Sequence, residues 1–160
     1  MKATDLLKRD HETLRALFVE YDRAAPASES RRELFKEIRR ELRKHSRDEE
    51  RIYFPALLRS RSRSTRQLVR AALEWHHGLD ELLARIDELD PEDEGFAETL
   101  ACVRQKVDQH VEAETALADA GRHLSNRALE HLGAEMQAAA TGASEPGRGR
   151  GRPARGSMEG

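Results

Sequence analysis

Shifted by 65 residues, the first half of this chain falls on the second. His11 lands on His76, His45 on His110 and Glu49 on Glu114, while Pro26 falls on Pro91 and the apolar Phe35, Ile38, Leu42 and Ile52 fall on Leu100, Val103, Val107 and Leu117. Internal self-similarity of this kind means two copies of one supersecondary plan, neither of which can bury its apolar face alone. Within each copy the apolar residues recur at steps of three and four, the period of a helix packed on one side. Leu6, Leu7, Leu14, Leu17, Phe18 and Tyr21 mark a first helix, capped by Thr4 or Asp5 and ending before Pro26. Ser28 caps a second helix, which carries Leu34, Phe35, Ile38, Leu42, Ile52 and Leu57 to about residue 60, with Pro55 placed to kink it. After the polar "SRSRST" connection, a third helix carries Leu68, Val69, Leu73, Leu79, Leu82, Leu83 and Ile86. Pro91 opens a fourth, from about residue 92 to 119, with Phe96, Leu100, Val103, Val107, Val111 and Leu117 inward. A short fifth helix is expected from about Asn126 to Ala140.

The reading is an all-α protein, an up-down-up-down four-helix bundle with a short fifth helix and a disordered C-terminal tail. Its boundaries are 1–140 for the bundle and 141–160 for an Arg/Gly-rich tail without periodicity. The composition agrees: 38% hydrophobic and 36% charged residues with seven aromatics suit amphipathic helices better than a sandwich or barrel. A formal net charge of -2 gives no overall field toward nucleic acid or an anionic membrane. The first residues hold no uninterrupted apolar stretch and no run of about 18 apolar residues occurs, so no membrane span is expected and a cytoplasmic location is the default. Cys102 is the single cysteine, read as a small buried residue, so any metal would be held by nitrogen and oxygen.

Helix geometry places the histidines. His11 lies 15 residues before Pro26 and His45 lies 19 after it; His76 and His110 stand in the same relation to Pro91. At roughly 1.5 Å per residue, the members of each hairpin return to one level within about one turn. All four share faces with apolar neighbours, and Glu49 and Glu114 follow their histidines by one turn on the same faces. Buried carboxylates and imidazoles each need a partner, and a metal centre satisfies all six at once. Imidazole with carboxylate and no thiolate suits iron, manganese or zinc, and six ligands suggest two ions, with the carboxylates able to bridge them. Two divalent ions bring four positive charges and two glutamates remove two, which calls for an oxo, hydroxo or other exogenous ligand and an open position.

The pattern His11, His45-x-x-x-Glu49, His76, His110-x-x-x-Glu114, with "DHETLRALF" and "HSRDEERIYFPAL" around it, resembles the hemerythrin-like family, the HHE cation-binding domain, over residues 1 to about 120. The resemblance implies a four-helix bundle with a non-haem di-iron centre, two iron ions bridged by carboxylates with an oxo or hydroxo bridge, that meets oxygen, nitric oxide or peroxide. The oxygen carriers of that family use five histidines with one glutamate and one aspartate, against four and two here. Three function classes follow: a di-iron protein that binds or senses oxygen, nitric oxide or reactive oxygen species; a di-iron enzyme that decomposes peroxide; and a metal-free helical interaction module.

Around the six, Tyr53 is read as packing at the bundle edge or overhanging the site, and His77 as a partly exposed polar residue, with a place in the site's outer layer or as an alternative to His76 the less favoured readings. Glu50 is read as a solvated neighbour and Trp75 as a contact between helices. In the tail, Arg148 to Pro153 ("RGRGRP") resembles an AT-hook, an arginine pair for a narrow minor groove of DNA, with a plain solvated tail the favoured reading.

Overall fold

The computed structural model describes residues 1–26 and 28–142, so the expected tail of 141–160 lies almost wholly outside the described residues. Helices α1 (Ala3–Arg23), α2 (Glu29–Asp48), α3 (Phe54–Leu58), α4 (Arg63–Asp87), α5 (Glu94–Ala120) and α6 (Asn126–Ala140) follow one another, with no strand among the described residues. A π-helical turn, Glu49–Tyr53, joins α2 to α3, so these three pieces form one long arm of the bundle. Helix α1 packs antiparallel on α2, α4 on α5, and α6 lies along α1.

Caps set the boundaries. The Ser28, Ser62 and Ser125 hydroxyls accept from the amides of Arg31, Thr65 and Ala128, the usual way to satisfy the first free N–H groups of a helix. Two expected starts move: α1 begins after Lys2, whose amide donates to the Asp5 carboxylate, and α5 begins after Asp93, leaving Pro91 in the preceding turn. The serine-arginine connection is shorter than its polarity suggests, because Ser62 caps α4 within it.

Pro55 produces a π turn. It has no amide to give the Arg51 carbonyl, and its ring would crowd that carbonyl in a regular helix. The chain instead widens by one residue, and the Phe54 amide reaches Glu49 O. The insertion turns the following side chains around the axis. Tyr53 and Phe54 are buried, whereas Ile52, the expected core residue, is only partly so. On α5 the residue buried beyond Glu114 is Leu117, three positions on; on this arm the one beyond Glu49 is Tyr53, four positions on.

The core has two dry halves. One, at the end where the hairpins turn, holds Leu14, Phe18, Ile38, Leu42, Leu79, Leu83, Ile86, Phe96, Leu100, Val103 and Val107. The other holds Ala3, Leu6, Leu7, Tyr53, Phe54, Leu57, Val69, Ala72 and Leu117, roofed by Leu132 and Met136 of α6. On every long helix His11, His45 and Glu49, His76, or His110 and Glu114 fall between the residues of one half and those of the other. The bundle therefore carries one polar layer across its middle. Two apolar expectations fail: Leu73 is 43% exposed, because α4 turns Val69, Ala72 and His76 inward instead, and Cys102 is exposed.

Candidate metal centre

Alternating residues from the two dry halves fix the depth of the layer, and the three-four stripes aim its side chains inward. His11, His45, His76, His110 and Glu49 are all buried, and the Glu114 side chain is 17% exposed. The four imidazoles converge through Nε2. His45 Nε2 lies 3.2 Å from His11 Nε2 and 3.1 Å from His110 Nε2, and 3.5 and 3.4 Å from the carboxylates of Glu49 and Glu114. Glu49 Oε2 is also 3.0 Å from His76 Nε2 and 3.2 Å from His110 Nε2; Glu114 Oε1 is 3.2 Å from His11 Nε2 and 3.5 Å from His110 Nε2.

Hydrogen bonding alone cannot satisfy so crowded a set. One Nε2 carries at most one proton, yet that of His45 faces two other imidazole nitrogens and two carboxylates. Among the described residues Glu49 Oε1 is buried with no hydrogen-bond partner, and Glu114 Oε1 lies near three imidazoles with hydrogen-bond geometry to none. A cation fits these spacings. Two ligand atoms each about 2.1 Å from one ion stand roughly 3.0 Å apart at a right angle and 3.4 Å apart at the tetrahedral angle. Two groups have their donor atoms within 4.8 Å of one another: His11, His45, His110 and Glu114, and Glu49, His76 and His110. His110 belongs to both, which joins them into one centre of six residues.

Each charge in the layer is set by its neighbours. Burial opposes protonation of His45, but contacts with Asp10 and Glu114 and the charge of Glu49 outweigh it and push the imidazole up to about 10. His110 is raised against its burial by Glu114 and Glu49. Burial would raise the two glutamates; instead His110, His76 and His45 hold Glu49 low, and His11, His110 and His45 hold Glu114 low. Protons thus do for the metal-free layer what a cation would do.

Groups behind the imidazoles hold them in place. His76 Nδ1–H donates to Glu50 Oε1 at 2.6 Å, which orients the ring so that Nε2 faces the layer. Glu50 is thus more than the solvated neighbour expected, although its side chain is 42% exposed and reaches solvent. Asp10 Oδ2 is 3.7 Å from His45 Nδ1 and accepts from Lys44 at 2.7 Å; Lys44 also lies 3.3 Å from the buried Asp48. Trp75, at the repeat position of Asp10, stacks on His110 at 4.1 Å and donates to Lys106 O, so the two halves back their histidines by different means. Phe54 stacks on His76. Nothing in spacing alone marks Asp10 or Glu50; the signal available was their adjacency to His11 and Glu49.

Tyr53 is buried beside the layer, and its hydroxyl donates to Leu117 O at 3.5 Å. Burial, reinforced by the charges of Glu114 and Glu49, pushes the phenol up to about 12, so it stays protonated. His77 does not join the layer: it is 79% exposed and pairs with Glu81 on the outer face of α4.

The family model for the Hemerythrin HHE cation binding domain matches residues 2–118. The uncharacterised protein Rv2633c of Mycobacterium tuberculosis is 32% identical over 143 residues, covering 86% of this chain and 84% of its own, and an uncharacterised protein of Mycobacterium bovis matches to the same extent. A crystal structure of a hemerythrin HHE cation binding domain-containing protein from Mycobacterium kansasii superposes with a TM-score of 0.72 at 23% identity, over 89% of this chain and 87% of that one, and shows the same fold. No helix among the described residues is long and apolar enough to cross a membrane.

Proposed function

Because the chain belongs to the hemerythrin HHE cation-binding domain family, we propose that His11, His45, Glu49, His76, His110 and Glu114 hold two iron ions, with Glu49 and Glu114 as bridging carboxylates, and that the protein binds or senses oxygen, nitric oxide or reactive oxygen species. The observation that carries this reading is the meeting of four Nε2 atoms and two carboxylates in one layer, where each Nε2 lies 3.0–3.5 Å from at least one carboxylate oxygen and His110 links two groups of donor atoms that each lie within 4.8 Å of one another. When bound, such an iron pair supplies redox change and an open coordination position to a small ligand. The chain's own residues set the terms of access. The two dry halves of the core keep bulk water from both ends of the layer, which favours a diatomic or peroxide-sized ligand. Glu50 orients the His76 ring, and Asp10 with Lys44 places a charge behind His45. Tyr53 keeps a phenolic proton at the edge of the site.

Reconstitution with ferrous iron under anaerobic conditions tests the assignment. About two irons per chain are expected, with oxo-bridge absorption after exposure to air and a loss of iron in His45→Ala. Less than one iron per chain, unchanged by His45→Ala, overturns it. Rapid iron-dependent oxygen evolution from peroxide, lost in Glu114→Ala, would make the protein an enzyme instead of a sensor.

A further inference from the structure

We propose that the outward face of α2 binds the phosphate backbone of duplex DNA. Along that helix Lys36, Arg40, Arg43 and Arg47 are spaced by four, three and four residues, and Arg51 continues the line in the π turn. At about 100° per residue these positions fall within about 80° of the helix circumference, opposite the inward Ile38, Leu42 and His45, and span roughly 22 Å. The result is a straight cationic ridge on a protein whose formal net charge is -2. Like charges one turn apart destabilise a helix, so local stability does not account for this spacing.

Neighbouring acids neutralise only part of the ridge. Lys36 pairs with Glu33, Arg40 lies 3.7 Å from Glu41 and Arg47 lies 3.5 Å from Asp48, but Arg43 and Arg51 have no ion-pair partner among the described residues. Glu50 falls on the same sector, and its carboxylate is turned to His76. Asp87 is engaged by Arg39 on the flank. Arg9 of α1, also without an ion-pair partner among the described residues, extends the positive surface across the adjoining groove, where the rim includes Ala140.

Ala140, at the end of α6, lies on the rim of this groove, and in sequence the chain beyond residue 142 carries Arg148, Arg150, Arg152 and Arg155 against Glu145 and Glu159. Its "RGRP" is the arginine arrangement suited to a minor groove. The chemistry of the ridge also separates partners. No exposed large apolar residue lies on α2 to anchor a bilayer, and no exposed aromatic interleaves the cations to stack on unpaired bases. A charged rod without either is suited to phosphates along a duplex.

The test uses the full chain, metal-free and iron-loaded, with a fluorescent 20-base-pair duplex in an anisotropy titration from 50 to 200 mM salt. Five neutralised phosphates correspond to a slope of about -4.5 in log affinity against log salt, or a loss of about 500-fold over that range; tail contacts steepen it. Arg40→Gln/Arg43→Gln/Arg47→Gln is expected to flatten the slope by about 3 and weaken binding at least ten-fold at 50 mM, with unchanged helicity and melting temperature, whereas Arg85→Gln on α4 changes neither. Arg148→Gln/Arg150→Gln/Arg152→Gln is expected to weaken binding while the α2 dependence persists. The proposal is overturned if the triple α2 variant binds as the parent does, if the tail variant abolishes binding altogether, or if phosphatidylserine vesicles bind more tightly than the duplex. Iron content does not enter the readout, so the result is separate from that of the metal assignment.

Discussion

The metal-free protein should lose stability as pH rises through the neutral range, which is the behaviour of a layer held together by protons. His45 carries a folded pKa of about 10 against 6.5 for the free side chain. A raised pKa contributes stability that is complete below about 6.5 and is lost as pH climbs toward 10. Each pH unit in that window costs about 1.4 kcal/mol, so moving from pH 6.5 to 9 removes about 3 kcal/mol. For a chain of this size, roughly 2–4 °C per kcal/mol converts this to a fall of about 6–12 °C in Tm. His110, raised by the same glutamates, adds to the fall. On the acid side the lowered Glu49 and Glu114 act oppositely: their contribution is present above about 4.5 and is lost as pH drops, so the metal-free optimum lies between about 4.5 and 6.5. Metal binding reverses the alkaline trend, because a cation replaces the protons and gains affinity as they leave. Circular-dichroism melts in the presence of a chelator, at pH 6.5, 8 and 9, provide the assay, with His45→Gln expected to reduce the slope. A Tm that is flat or rising from pH 6.5 to 9 in the chelated parent would refute the reasoning.

Three further outcomes are expected. Gly133→Ala should lower Tm, since its Cβ would stand 2.2 Å from Met1 O and 3.1 Å from Ala3 N, backbone atoms that cannot swing aside; a cost of about 1–3 kcal/mol should exceed the gain in helix propensity. The same change at Gly78 meets only the flexible end of Lys106 and should raise stability by up to about 1 kcal/mol, so equal effects at the two sites would be a failure of the packing described. Trp75, the sole tryptophan, stacks on His110, so its fluorescence should be quenched in step with iron loading; unchanged emission at full iron content would place the iron elsewhere.

How much of this was legible beforehand depended on whether a residue's place follows from helical phase. The depth of the four histidines follows from counting outward from two prolines, because the rise of a helix is constant, and α6 spans the residues its periodicity suggests. Phase is lost where Pro55 inserts a π turn, which is why Tyr53 and Phe54 replace Ile52 in the core. On α4 a weakly hydrophobic residue, Ala72, occupies the inward position that Leu73 claims by hydropathy. The sequence does not mark Asp10, and it suggests a solvated neighbour at Glu50, because the importance of both depends on which imidazole nitrogen they meet on another helix. Cys102 is exposed because the inward line on that part of α5 runs through Leu100, Val103 and Val107.

The most direct test of the central claim is a crystal structure of the iron-loaded protein with anomalous differences measured at the iron edge. Two peaks within the polar layer, one among His11, His45, His110 and Glu114 and one beside Glu49 and His76, are the predicted result. A single peak there, or peaks confined to surface carboxylates, would contradict the two-iron centre.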